Sequence, residues 1–317
     1  MSFPSAIFAA LADQTRLRIV ALLSAMELSV GEIAQVLGQS QPRVSRHVRI
    51  LIDAGLAERR KEGSWVFVSL GDRARTEPLF QLLDRWAEID GDNPWLAADA
   101  ARLAAVRADR AAAAQAYFAA HAGEWDALRS LHIAESEVEA AIARALGDGA
   151  IGRLIDIGTG TGRMIELFAP AADHALGVDR SPEMLRLARA KLAEAGLTAE
   201  LRQGDMYALP LPSGAADTVI VHQVLHYAHN PAAAVAEAAR LLAPGGRLLI
   251  ADFAPHDREE LRSRDAHARL GFSDEAVTGW LSAAGLDGEV FEHLEGGELT
   301  VTIWVGRQPA ERLKEVA

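Results

Sequence analysis

The sequence predicts an α/β protein in two parts: a small helical head ending in a β-hairpin, then a doubly wound sheet of seven strands. Three observations carry this prediction. Residues 3–70 break into short capped helices followed by two strand-like runs. The segment Arg153-Leu-Ile-Asp-Ile-Gly-Thr-Gly-Thr-Gly-Arg163 reads as strand, glycine turn and helix start. From there to Arg307, strand-length apolar runs alternate with helical stretches, the pattern of a mostly parallel sheet.

In the head, Ile7, Phe8 and Leu11 start an apolar stripe. Leu17, Val20 and Leu23 continue it after Asp13, which stands where an N-cap belongs. Ser29 and Glu32 have capping-box spacing, with Leu28 and Ile33 placed as a hydrophobic staple, and Gly38 closes that helix. Ser40 is predicted to cap the next helix, with Pro42 in its first turn. Val44, Val48 and Leu51 fall on one helical face, leaving Arg43, Ser45, Arg46 and Arg49 outside it. Two strands follow, around a turn at residues 62–64. A helix-turn-helix followed by a basic hairpin makes a winged helix-turn-helix. Its second helix would enter a DNA groove with Ser40, Gln41, Arg43, Ser45, Arg46 and Arg49, while Arg60 and Lys61 of the hairpin would hold phosphates.

In the second part, Leu154, Ile155 and Ile157 form the apolar run of a strand buried on both faces, and Asp156 lies near its end. Gly158, Gly160 and Gly162 let the backbone turn tightly and let a ligand lie against it. A dinucleotide fingerprint would need its third glycine at position 163, which is Arg163. Asp179 closes a second strand and can accept hydrogen bonds from both hydroxyls of a ribose. Further strands are predicted at residues 199–203, 217–221 and 247–250, the last after a Pro-Gly-Gly turn, and two more at 290–293 and 300–307.

These residues carry two resemblances. The order D-x-G-x-G-x-G from Asp156 to Gly162, with Asp179 and Gly204-Asp-Met206 behind it, resembles the class I S-adenosylmethionine (SAM) methyltransferases of type 11 and their Rossmann-like fold. That resemblance implies SAM as cofactor and S-adenosylhomocysteine as product. It implies a cofactor site drawn from Asp156, Gly158, Thr159, Gly160, Gly162, Asp179, Arg180, Asp205, Met206 and His222. Asp205 would meet the adenine amino group. The head is similar to the ArsR-type bacterial repressors through Leu11–Ile19, Ser40–His47 and Glu62-Gly-Ser-Trp65. It implies a double-stranded DNA operator and a homodimer formed through the apolar segment 77–89. Metal-sensing members carry cysteines where this chain has Ser29 and Gly31, and with no cysteine at all it cannot sense metal through thiolates.

The expected domains are a DNA-binding and dimerisation head at 1–90, a helical linker with cofactor-covering helices at 91–135, and a methyltransferase domain at 136–308. Charge follows this division. Residues 1–75 hold ten Lys and Arg against seven Asp and Glu, although the whole chain carries −12. An acidic body argues against general nucleic-acid binding outside the head. No membrane span or signal peptide is evident, so the expected location is cytoplasmic.

The acceptor side is expected after the fourth and fifth strands, where His222, Gln223, His226, Tyr227, Asp252 and His256 are the available polar groups. His222 and His226 are the catalytic candidates; on a helix, residues four apart would share a face. No metal site is expected, because the sequence places no third ligand beside them. Absence of an N-P-P-Y signature and of cysteine sets aside base amino-group, cytosine-C5 and arsenite methylation, leaving a small-molecule acceptor. Two functions fit: a regulator that is also a working methyltransferase, or a repressor that senses SAM and S-adenosylhomocysteine without turnover.

Overall fold

A computed structural model of the chain describes residues 3–62, 65–71, 76–82, 85, 95, 97–106, 108, 120, 134–197, 199–295 and 297–310. The chain divides into two compact units, Met1–Ala112 and Ala113–Ala317.

The first unit runs α1 (Phe3–Leu11), α2 (Gln14–Ala25), β1 (Leu28–Ser29), α3 (Val30–Leu37), α4 (Gln41–Asp53), β2 (Ala57–Glu62) and β3 (Trp65–Leu70). Local chemistry sets its boundaries. Asp13 caps α2 by accepting the Arg16 N–H at 3.1 Å. The capping box of α3 is complete: Glu32 N–H donates to Ser29 Oγ at 3.2 Å, and Ser29 N–H donates to Glu32 Oε2 at 2.8 Å. Leu28 and Ile33 are fully buried beside it. Ser40 holds the N-cap position of α4 but makes no side-chain cap, contrary to expectation, so its hydroxyl stays exposed. The three strands form an antiparallel sheet in the order β1-β3-β2.

The core of this unit extends past the wing. Leu79, Leu103 and Val106 join Ile19, Leu28, Ile33, Val44 and Leu51 in one cluster. Helical residues 97–106 are fastened there by Arg18, whose Nε and Nη2 donate to Asp99 at 2.5 and 2.6 Å, and by Arg102 donating to the Val36 carbonyl at 3.2 Å. This part of the 91–135 segment, expected to cover the cofactor, therefore packs on the head. Its apolar side chains find a ready core there. Leu83, Trp86, Tyr117, Phe118, Trp125 and Arg129 lie outside the described residues.

The second unit contains α5 (Glu135–Leu146), β4 (Arg153–Ile157), α6 (Arg163–Phe168), β5 (His174–Asp179), α7 (Pro182–Glu194), β6 (Glu200–Gln203) and β7 (Ala216–His222). It continues with α8 (Pro231–Arg240), β8 (Leu242–Phe253), α9 (Glu260–Arg264), α10 (Asp274–Ala283), β9 (Asp287–Leu294) and β10 (Val301–Arg307). The seven strands are ordered β6-β5-β4-β7-β8-β10-β9, parallel except for β10, which is antiparallel to both neighbours. Alternate residues feed the two faces: Ile155, Ile157, Val219 and Val221 pack on one, Leu154, Ile220, Leu249 and Ile303 on the other. The expected turn Pro244-Gly-Gly246 is instead a bulge inside β8, where the register against β7 jumps from Ala216↔Leu242 to Thr218↔Arg247. No described helix is long and apolar enough to cross a membrane.

Candidate cofactor site and nucleic-acid interface

The sheet order reverses direction at β4: the chain steps outward to β5 and β6, then returns to place β7 on the other side. Such a switch point opens a crevice at the carboxyl ends of the strands. The glycine turn stands there. Gly158 and Thr159 donate their N–H groups to the Val178 carbonyl at 2.7 and 2.9 Å, which folds the turn across the end of β5. Gly158 has φ +74, and a Cβ on it would lie 2.4 Å from Val224 Cγ2. Only glycine fits between this turn and the residues after β7.

Asp179 is pinned by that turn. Its Oδ2 accepts the Gly160 N–H and its Oδ1 the Ser181 N–H, both at 2.8 Å. Burial pushes its carboxyl above the usual carboxylate range, and the N–H groups of Ser181, Gly160 and Arg180 pull the other way. The carboxylate keeps lone pairs that can still accept a hydroxyl group. Arg163, in place of a third dinucleotide glycine, is held by Glu139 of α5 at 2.6 and 2.9 Å and by Glu166 at 2.9 Å.

The remaining cofactor candidates divide. Asp205 is exposed beyond β6, with Oδ1 accepting the Tyr207 N–H at 3.1 Å, and Met206 packs against the core. Arg180 is exposed next to Asp179, and Asp156 and Gly162 are buried in the strand and turn. The Thr159 hydroxyl turns toward Gly177, where an added Cβ would approach it to 2.8 Å, so this side chain packs on β5.

On the acceptor side the expectation of a shared helical face fails. His222 is the last residue of β7, Gln223 follows with φ +52, and His226 lies in a short 3₁₀ turn, Leu225–Tyr227. The left-handed Gln223 breaks any helical phase between the two histidines. Both are buried, but His226 has a partner the sequence did not pair with it. Its Nδ1 is 2.8 Å from Asp252 Oδ1, at the carboxyl end of β8. Phe253, Tyr227 and His267 surround the imidazole, with ring centroids 5.0, 4.0 and 4.3 Å away. His267 belongs to the irregular stretch between β8 and α10, which has no periodicity to announce it. Among the described residues, no group of three or more His, Asp and Glu forms a metal site.

In the head, Val44, Val48 and Leu51 of α4 are buried while Ser40, Gln41, Arg43, Ser45, Arg46, Arg49 and Lys61 are exposed. The Arg60 side chain is outside the described set. Gln41, Ser45, Arg49 and Arg59 line a concavity of about 920 Å³ between α3, α4 and the hairpin. A basic helix face beside a basic strand pair can straddle a groove edge and its phosphates.

Comparison with known proteins agrees with both halves. The family described as bacterial regulatory protein, arsR family, matches residues 13–59, and a methyltransferase domain matches residues 155–250. The arsenic resistance transcriptional regulator ArsR1 of Pseudomonas putida is 36% identical over 104 residues, which are 32% of this chain and 77% of that protein. The chain belongs to the arsR family of bacterial regulatory proteins. Its second unit is a methyltransferase domain: a demethylmenaquinone methyltransferase of Thermus thermophilus is 39% identical over 106 residues, 32% of this chain. The chain spans about half of that enzyme, 48% of its length. The fold is also that of the structure described as a complex between the Haloferax volcanii Trm112 methyltransferase activator and a putative methyltransferase, with TM-score 0.51 and 20% identity over 62% of this chain and 98% of that one.

Proposed function

We propose that this regulator binds operator DNA as a homodimer and transfers the methyl group of SAM to a small molecule, with cofactor occupancy altering operator affinity. The observation that carries the cofactor reading is the Asp179 carboxylate, held by the glycine turn it faces and left with lone pairs for a ribose. The exposed Asp205 would take the adenine amino group. Thr159, by contrast, would contribute its backbone rather than its hydroxyl. When bound, SAM supplies a sulfonium methyl group; the chain's own part is to align an acceptor, exclude water and hold a proton where needed.

In the head, Gln41, Arg43, Ser45, Arg46 and Arg49 would read bases, with Ser40, Arg60 and Lys61 on the backbone. A ligand site and a DNA head on one chain are thermodynamically linked whenever the ligand prefers one state, and coupling of about 1–3 kcal/mol is usual. The deciding experiment incubates the protein with SAM and the small-molecule fraction of a cell extract and follows S-adenosylhomocysteine. Formation that disappears in Asp179→Ala supports the enzyme. Tight SAM binding without product would instead favour the repressor that only senses it.

A further inference from the structure

The Asp252 carboxylate sits at the carboxyl end of β8, is fully buried, and faces the turn that carries His226. Its Oδ1 lies 2.8 Å from His226 Nδ1 and also accepts the Phe253 N–H at 2.8 Å. Its Oδ2 accepts the backbone N–H of His226 at 3.2 Å. The turn is fixed from the other side too, because the His226 carbonyl accepts the N–H groups of Ala268 and Arg269, both at 2.9 Å. His226 is therefore held by its ring, its N–H and its C=O. Its Nε2 has no hydrogen-bond partner among the described residues.

This turn borders the cofactor crevice. Val224, two residues before His226, fills the space a Cβ on Gly158 would need. Between Val224 and β7 lies Gln223, buried and in the left-handed region at φ +52. A non-glycine residue in that region is costly, and such costs persist where the surroundings over-determine a conformation, often beside a reacting centre.

We propose that Asp252 is a positioning residue that locks His226 in the Nδ1–H tautomer, so that Nε2 is the proton acceptor for a hydroxyl-bearing substrate. The inference rests on the methyltransferase reading above. A carboxylate can only accept, so Nδ1 must carry the hydrogen and Nε2 must present its lone pair. As the acceptor oxygen bonds to the methyl carbon, the hydroxyl proton passes to Nε2 and the carbon–sulfur electron pair leaves on sulfur. The positive charge lost from the sulfonium appears on the imidazolium, beside Asp252. Asp252→Ala removes the acceptor for Nδ1–H, so the ring is free to take the Nε2–H form that a free neutral imidazole favours, and the base is lost.

The test uses the full chain labelled with ¹⁵N, its ring correlations assigned by their loss in His226→Gln. The expected spectrum has His226 as the Nδ1–H tautomer in the native chain and mainly as Nε2–H in Asp252→Ala. In parallel, S-adenosylhomocysteine formation with the same extract fraction should fall about a hundredfold or more in both variants, the scale of general-base catalysis, with SAM affinity unchanged within about twofold. An Nε2–H tautomer in the native chain, or full turnover in His226→Gln, overturns the inference. Native protein that makes no product while His226 is Nδ1–H would sink the enzyme reading instead, and so separates the two failures.

Discussion

On the proposed function, helix α4 and the glycine turn carry the functions of the two units in opposite ways. On α4 the apolar residues Val44, Val48 and Leu51 are buried, and the polar groups Gln41, Arg43, Arg46 and Arg49 stand exposed on the rest of the helix. Fold and function use different side chains there. At the turn they would share atoms: Asp179 ties Gly160 to Ser181 and, on the proposed reading, offers its remaining lone pairs to the cofactor. Substitutions in the head should therefore separate binding from stability, whereas substitutions at the turn should not.

Gly158→Ala is the strongest way to break that comparison. It forces a side chain to φ +74 and 2.4 Å from Val224, so overpacking and backbone strain together should cost about 3–4 kcal/mol by denaturant titration. Stability within 0.5 kcal/mol of native would mean the turn does not need its glycine. Next comes Asp99→Ala, which strands the Arg18 guanidinium beside the head core and should cost about 3 kcal/mol. A silent result would detach residues 97–106 from the head.

Asp179→Ala should weaken SAM binding by about 1.5–3 kcal/mol in calorimetry and also lower stability, because two backbone N–H groups lose their acceptor. Unchanged affinity would remove Asp179 from the site, and tighter binding of NAD than of SAM would overturn the cofactor reading. A smaller effect concerns pH. The Arg153 guanidinium holds Asp217 well below the usual carboxylate range, at about 2. A depressed folded-state pKa stabilises above the unfolded value near ~4, and that contribution disappears as pH falls toward about 2. Both side chains are more than a third exposed, so solvent screening limits it to about 0.5–1 kcal/mol. Asp217→Asn should remove this share of acid sensitivity in melts between about pH 5 and about pH 2. Smallest on stability are Arg46→Ala and Lys61→Ala, within about 0.5 kcal/mol. On DNA the first should abolish discrimination of operator from random sequence, and the second should lower the salt slope by about one unit at every sequence.

The same contrast explains what could be read from the sequence. Head helices announce themselves locally, through the Ser29–Glu32 box, Gly38 and the Val44–Val48–Leu51 spacing, and the structure keeps each of these. Strands β4, β5, β7 and β8 were legible for a similar reason, since buried parallel strands are short apolar runs. Three features escaped. The His226–Asp252 pair joins the turn after β7 to the end of β8, which no spacing within one segment encodes. The expected helical phase of His222 and His226 failed because Gln223 adopts φ +52, a choice made by packing rather than propensity. Residues 97–106 look like an alanine-rich tether, and the Asp99–Arg18 ion pair, the Arg102–Val36 bond and the burial of Leu103 and Val106 reveal where they dock.

The account stands most directly on whether the two units communicate. Operator DNA would be titrated with the full chain in three states: free, saturated with SAM, and saturated with S-adenosylhomocysteine. The expected outcome is a shift of roughly 5- to 150-fold between free and liganded protein. SAM and S-adenosylhomocysteine should also differ from each other, because only SAM carries a methyl group and a positive sulfur. Three superimposed curves, with both ligands shown to be bound, would contradict it.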